Sequence, residues 1–124
     1  MSASILLVDD EPNLLLSLEF LMKREGFQVS VAHDGEEALE VLRREHPRLM
    51  VLDVNMPRKN GFEVCQEVRH DGSIDSTLIL ILSARARETD IAKGLALGAN
   101  AYMTKPFSNE ELVAKVHELL EATA

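Results

Sequence analysis

The sequence predicts a three-layer, doubly wound α/β fold of five strand–helix pairs, (βα)5, around a five-stranded parallel sheet of order 2-1-3-4-5. Three observations carry this. Apolar periodicity switches repeatedly between a short continuous run and a helical stripe. The segments between runs are long enough for the crossover helices that parallel strands require. The 124 residues, 46% hydrophobic and 27% charged, suit one domain over 1–124, with a core burying roughly two-thirds of the unfolded surface. Intrinsic disorder and a collagen-like chain are excluded.

The strand runs are Ile5–Val8, Phe27–Val31, Leu49–Leu52, Leu78–Leu82 and Ala101–Met103. Leu14, Leu18 and Leu21 give the first helix its sheet-facing stripe. Ala38, Val41 and Leu42 serve the second helix, and Val64, Cys65 and Val68 the third. Ile91 and Leu95 form the weakest stripe, in the fourth; Leu112, Val113, Val116, Leu119 and Leu120 form the last. Asp34 with Glu37, and Ser108 with Glu111, have capping-box spacing, so helices should begin there. Gly26 and Gly98 suit left-handed positions after helices, and Pro47 ends the second helical region.

The first, third and fourth runs are unbroken, as strands buried on both faces should be. Phe27-Gln28-Val29-Ser30-Val31 alternates and Ala101-Tyr102-Met103 is brief, which puts strands two and five at the edges. Right-handed crossovers then place helices on both faces. The order reverses between strands one and three, and in such sheets ligands bind beyond the strand carboxyl ends at that crevice.

Composition narrows the function. Thirteen Lys and Arg against 21 Asp and Glu leave a formal net charge of -8, the wrong sign for direct nucleic-acid binding. No apolar run approaches the ~20 residues needed to span a bilayer, and Met1-Ser2-Ala3-Ser4 lacks a positive leader region, so a cytoplasmic setting without membrane contact is expected. Cys65 stands alone, excluding an intrachain disulfide, and reads as a small buried hydrophobe. His33, His46, His70 and His117 show no metal-ligand spacing and read as surface or packing residues.

Asp9 and Asp10 follow the first strand, Asp53 the third, Ser83 the fourth, and Lys105 lies just beyond the fifth; all would converge on one rim. Carboxylates ~4 Å apart repel by about 4 kcal/mol per pair at an effective dielectric of 20, so the cluster needs a cation. Hard oxygen ligands favour Mg²⁺. Asp53 would then be a nucleophile toward a phosphoryl group whose oxygens Lys105 and Ser83 hold. Taken singly, each residue has a plainer reading. Asp10 before Glu11-Pro12 has the pattern of a helix cap, and Ser83 and Lys105 in isolation are ordinary loop positions. Joint placement makes the case.

Val8-Asp9-Asp10-Glu11-Pro12, Asp53-Val54-Asn55-Met56-Pro57 followed by Gly61, Ser83-Ala84, and Lys105-Pro106-Phe107 resemble, in order and spacing, the signature of response-regulator receiver domains of two-component signal transduction, chemotaxis regulators included. The resemblance covers the whole chain and implies a flavodoxin-like topology. It makes Asp53 the acceptor of phosphate from a phosphohistidine of a sensor histidine kinase or histidine phosphotransfer protein, an acceptor rather than a turnover enzyme. Asp10, Asp53 and the backbone carbonyl of Asn55 would coordinate Mg²⁺, with Asp9 acting mainly through a metal-bound water. Pro106 would follow a cis bond after Lys105. Ser83 would shift toward the phosphoryl group and Tyr102 turn inward, repacking the fourth helix and fifth strand to signal a downstream protein or effector domain. An edge-strand aromatic covering the core is the plainer reading of Tyr102.

Asn55 and Arg85 stand two residues beyond Asp53 and Ser83, at positions that vary in the family; Arg85 would screen attacking water or simply be solvated. Gly98-Ala99-Asn100-Ala101-Tyr102 lacks the acidic pair of receivers that dimerise through helix four, strand five and helix five, so a monomer or weak dimer is expected. Only Glu121-Ala122-Thr123-Ala124 follow Leu120, as in a stand-alone regulator or an excised receiver. Other classes fit less well. Phosphatases resembling haloacid dehalogenases carry their Asp-x-Asp motif after the first strand, a flavodoxin-like cofactor binder would not have an acidic loop there, and an inactive pseudo-receiver would not keep the full acidic set.

Overall fold

A computed structural model describes residues 3–122. The leader reading at Met1 and Ser2 and the tail at Thr123 and Ala124 lie outside the described residues. The elements run β1 (Ser4–Val8), α1 (Pro12–Arg24), β2 (Gln28–Ala32), α2 (Gly35–Glu45), β3 (Leu49–Leu52), α3 (Gly61–Arg69), β4 (Leu78–Ser83), α4 (Glu88–Ala96), β5 (Ala101–Thr104) and α5 (Asn109–Ala122). All strand pairs are parallel, in the order β2-β1-β3-β4-β5.

Alternation along the central strands builds two apolar layers, because successive side chains point to opposite faces. Leu6, Val8, Met50, Leu52, Ile79 and Ile81 pack with the buried stripes of α2 and α3. Ile5, Leu7, Leu49, Val51, Leu80 and Leu82 pack with Leu15, Leu18 and Met22 of α1 and Leu112, Val116 and Leu120 of α5. The edge strands β2 and β5 are mostly half-buried, while β3 and β4 are buried throughout.

The Ser108–Glu111 capping box is complete: the Glu111 amide donates to Ser108 Oγ at 3.0 Å and the Ser108 amide to Glu111 Oε1 at 3.3 Å. Gly26 and Gly98 hold φ of 91° and 113°, and Cys65 is fully buried. Burial drives the Cys65 thiol up to about 11, away from reactivity.

Several expectations need correction. β2 starts at Gln28 rather than Phe27 because the Phe27 amide is already bonded to the Met22 carbonyl at the end of α1. Asp34 does cap α2 by accepting from the Glu37 amide at 2.9 Å, but Glu37 returns its carboxylate to the His33 amide at 2.7 Å, so the box is not reciprocal. Leu95 is 45% exposed; the inward face of α4 is made by Asp90 and Gly94 instead. α3 begins with a further, reciprocal capping box, Asn60 with Glu63.

Candidate functional site

Backbone register brings the site residues together. The Asp53 amide donates to the Val8 carbonyl at 3.0 Å, continuing the β1–β3 ladder one step and setting Asp53 beside Asp9. The Lys105 amide donates to the Ser83 carbonyl at 2.8 Å, doing the same at the β4–β5 end. Ligating oxygens of Asp9, Asp10 and Asp53 lie within 4.8 Å of one another, Asp9 and Asp53 buried and Asp10 exposed. Gly61 opens α3 against this point: a Cβ there would collide with the Asp53 carbonyl, so only glycine lets the helix start so close.

Asp10 does not cap α1. The N-cap is Glu11, without a side-chain bond, and Pro12 follows at the helix start. Asp9 Oδ1 takes the Glu11 amide at 3.0 Å, which leaves the Asp10 carboxylate in the acidic group. Asp9 Oδ2 accepts from Lys105 Nζ at 3.0 Å, and the same ammonium stands 3.7 Å from Asp53 Oδ1. Burial first, then the Asp9 charge, push Asp53 up to about 6; Lys105 and the Val54 amide oppose that shift, and Asp10 adds to it. The bond between Lys105 and Pro106 is cis.

Ser83 is fully buried, its Oγ accepting from the Arg85 amide at 3.1 Å. The Arg85 carbonyl in turn accepts from the Tyr102 hydroxyl at 2.7 Å. Both hydroxyls are thus tied to one residue. The half-buried Tyr102 ring packs against the open side of Gly94, and burial holds its phenol above the ordinary value, keeping it a donor. Asn55 is exposed in the loop from β3 to α3. Sequence reasoning missed Asp90 and Gly94, one helical turn apart on α4; a search for apolar stripes does not register a face made of a carboxylate and a glycine.

The site's chemistry follows from charge. Three carboxylates facing one ammonium leave two negative charges uncompensated, which matches a hard divalent cation with oxygen ligands. Away from this rim, a shallow cavity of about 590 Å³ on the outer side of α1 is lined by Leu16, Ser17, Phe20, Leu21, Arg24 and Asn109 and borders none of the carboxylates. No helix among the described residues is long and apolar enough to cross a membrane.

Comparison with known proteins points the same way. A family model described as the response regulator receiver domain matches residues 5–117. The probable transcriptional regulator ycf27 of Cyanophora paradoxa is 45% identical over 119 residues, covering 96% of this chain and 48% of its own length. Response regulator MprA of Mycobacterium ulcerans (strain Agy99) is 44% identical over 123 residues, 99% of this chain and 52% of its own. The chain therefore spans about half the length of these curated relatives. The chemotaxis protein CheY4 of Vibrio cholerae superposes with a TM-score of 0.89 at 30% identity, covering 95% of this chain and 98% of that one.

Proposed function

The chain belongs to the response-regulator receiver family of two-component signalling, and from that membership we propose that Asp53 is its phosphoacceptor. One Asp53 oxygen attacks the phosphorus of a phosphohistidine on a sensor kinase or phosphotransfer protein. The new O–P bond forms as the P–N bond breaks, and the imidazole leaves with the electron pair. The observation that carries this reading is the gathering of Asp9, Asp10 and Asp53 from two strand ends, with Lys105 facing them.

The donor set fits Mg²⁺: Asp10, Asp53 and the Asn55 carbonyl would hold it, and Asp9 would reach it through water. Both Asp9 oxygens already have partners in Glu11 and Lys105, which suits an indirect role. When bound, the ion supplies positive charge to the transferring phosphoryl oxygens. The chain's own part is to aim Asp53, to donate from Lys105 Nζ to a phosphoryl oxygen, and to turn the Ser83 hydroxyl toward another. Because the Arg85 amide and carbonyl bind Ser83 and Tyr102, movement of Ser83 is passed to Tyr102 and the α4–β5–α5 face. That face addresses a downstream protein or effector domain, from a cytoplasmic receiver unit, monomeric or weakly dimeric, that works as a switch rather than a turnover enzyme.

Incubation with acetyl phosphate and Mg²⁺, followed by intact mass, tests the reading. One phosphoryl increment is expected, absent without Mg²⁺ and absent in Asp53→Asn. An increment that persists in Asp53→Asn overturns the assignment, and many turnovers without a retained increment would indicate a phosphatase.

A further inference from the structure

The first turn of α4 carries a buried carboxylate outside the acidic pocket. Asp90 is 7% exposed, and its two oxygens face two cations: Arg85 Nε lies 3.7 Å from Oδ1 and Arg87 Nε 3.2 Å from Oδ2. Arg87 reaches into solvent, its side chain 77% exposed. Arg85 is held at its backbone and turned to Asp90, with its side chain 38% exposed. Its amide and carbonyl hold Ser83 and Tyr102, and its guanidinium carbon sits 5.7 Å from the centre of the Phe62 ring. Phe62 follows Gly61, the residue pressed against the Asp53 carbonyl. The cation that contacts Asp53 is Lys105, while the Arg85 guanidinium is turned to Asp90.

We propose that Asp90 is a positioning residue that holds Arg85 in reserve, so that an anion on Asp53 obtains this guanidinium only in competition with Asp90. The inference rests on the phosphoacceptor reading above. Arg85 stands two residues beyond Ser83, just past the end of β4, and in the proposed exchange its fork turns toward the group that Ser83 meets. In the exchange the Arg85–Asp90 pair breaks and an Arg85–phosphoryl pair forms. Arg87 stays on Asp90 throughout, which keeps the buried carboxylate from being left unpaired, the costly outcome for such a group. Two cations on one carboxylate are therefore what permits one of them to leave.

The test is fluoroberyllate binding with Mg²⁺ to the full chain, followed by ¹⁹F NMR. Releasing Arg85 with Asp90→Asn should tighten the apparent affinity roughly three- to tenfold at low salt. That gain should disappear in the double variant Asp90→Asn/Arg85→Gln and shrink as salt rises, neither of which a packing defect would produce. Arg85→Gln alone should change affinity by less than about twofold, since Asp90 holds the guanidinium back. This variant decides the matter if Asp90→Asn does not fold. Unchanged affinity in Asp90→Asn, a gain that survives loss of Arg85, or a large loss in Arg85→Gln alone overturns the inference and leaves the phosphoacceptor reading standing. Failure of the unsubstituted chain to bind fluoroberyllate overturns both.

Discussion

Lys105 donates to Asp9 at 3.0 Å across 96 residues of sequence, joining the loop after β5 to the end of β1 over the two strands between them. The bond exists because both segments leave the sheet at the same rim. Its consequence is electrostatic: the ammonium takes one oxygen of the acidic group and stands close to a second carboxylate, so it acts as an internal counterion in competition with any bound metal.

Removing that counterion with Lys105→Met should therefore tighten Mg²⁺ binding, by about three- to tenfold once solvent screening is counted, while lowering the yield of phosphorylated Asp53. A Mg²⁺ titration by NMR beside an acetyl phosphate assay reads both effects. Weaker Mg²⁺ binding would mean that Lys105 orders the carboxylates more than it repels the ion.

Asp53 sets a pH dependence opposite in sign to that of a salt-bridged carboxylate. Its folded pKa of about 6 lies above the ordinary 3.8, so between those values the folded chain binds more protons than the unfolded chain. Stability from this group is full below pH 3.8, falls as pH rises through 6, and is level above. The resulting penalty at neutrality is on the order of 1–3 kcal/mol. Without divalent cations, Asp53→Asn should raise stability by about that amount at pH 7 and hardly at all near pH 4. Urea unfolding at the two pH values checks this, and equal effects at both would remove ionisation as the cause.

The strand order could be read from the sequence because Leu78 to Leu82 is unbroken while Gln28 and Ser30 interrupt β2; at the rim a polar residue follows β1 and β3 (Asp9 and Asp53, whose amides continue the ladder) and ends β4 (Ser83). The acidic pocket follows from the same logic, since Asp9 and Asp53 are the next residues after paired strands. What stayed hidden depends on tertiary neighbours. Leu95 belongs by spacing on a buried stripe, yet the space beneath α4 is filled by the Tyr102 ring, which selects Gly94 there, and by the loop arginines that pair with Asp90. Arg69 is a similar case. It donates to the Gly98, Asp75 and Thr77 carbonyls and to Asn100 Oδ1, fastening α3 to two later loops through contacts that no local pattern announces.

Mg²⁺ should stabilise the fold by relieving the repulsion that burial concentrates on Asp53. A tenfold excess over its dissociation constant adds about 1.4 kcal/mol. Asp10→Asn should abolish most of that gain while changing the metal-free stability by only about 0.5 kcal/mol, because Asp10 is exposed and caps nothing. Thermal unfolding with and without Mg²⁺ separates the two effects. A full metal response in Asp10→Asn would remove this residue from the ligand set.

Gly94→Ala tests the packing of α4 on β5 without touching the carboxylates. A Cβ at position 94 would meet Ile81 Cδ1 at 2.9 Å and the Tyr102 ring at 3.0 Å. Ile81 is held in the core, whereas the Tyr102 ring on an edge strand can move, so Tyr102 should yield. Its hydroxyl then leaves the Arg85 carbonyl, losing about 0.5–1.5 kcal/mol, and residual crowding costs about 1–3 kcal/mol. Alanine's better helix propensity returns about 1 kcal/mol, so the sum is a destabilisation of about 0.5–3.5 kcal/mol. Tyr102 is the single tyrosine and the chain has no tryptophan, so intrinsic fluorescence and ring chemical shifts report its displacement directly. Mg²⁺ affinity should be unchanged, because the Lys105–Asp9 pair and the three carboxylates lie at the strand ends and not under α4. A Tyr102 signal that does not respond would show that the ring is not wedged by Gly94, and the link from Ser83 through Arg85 to the α4 face would then have no moving part.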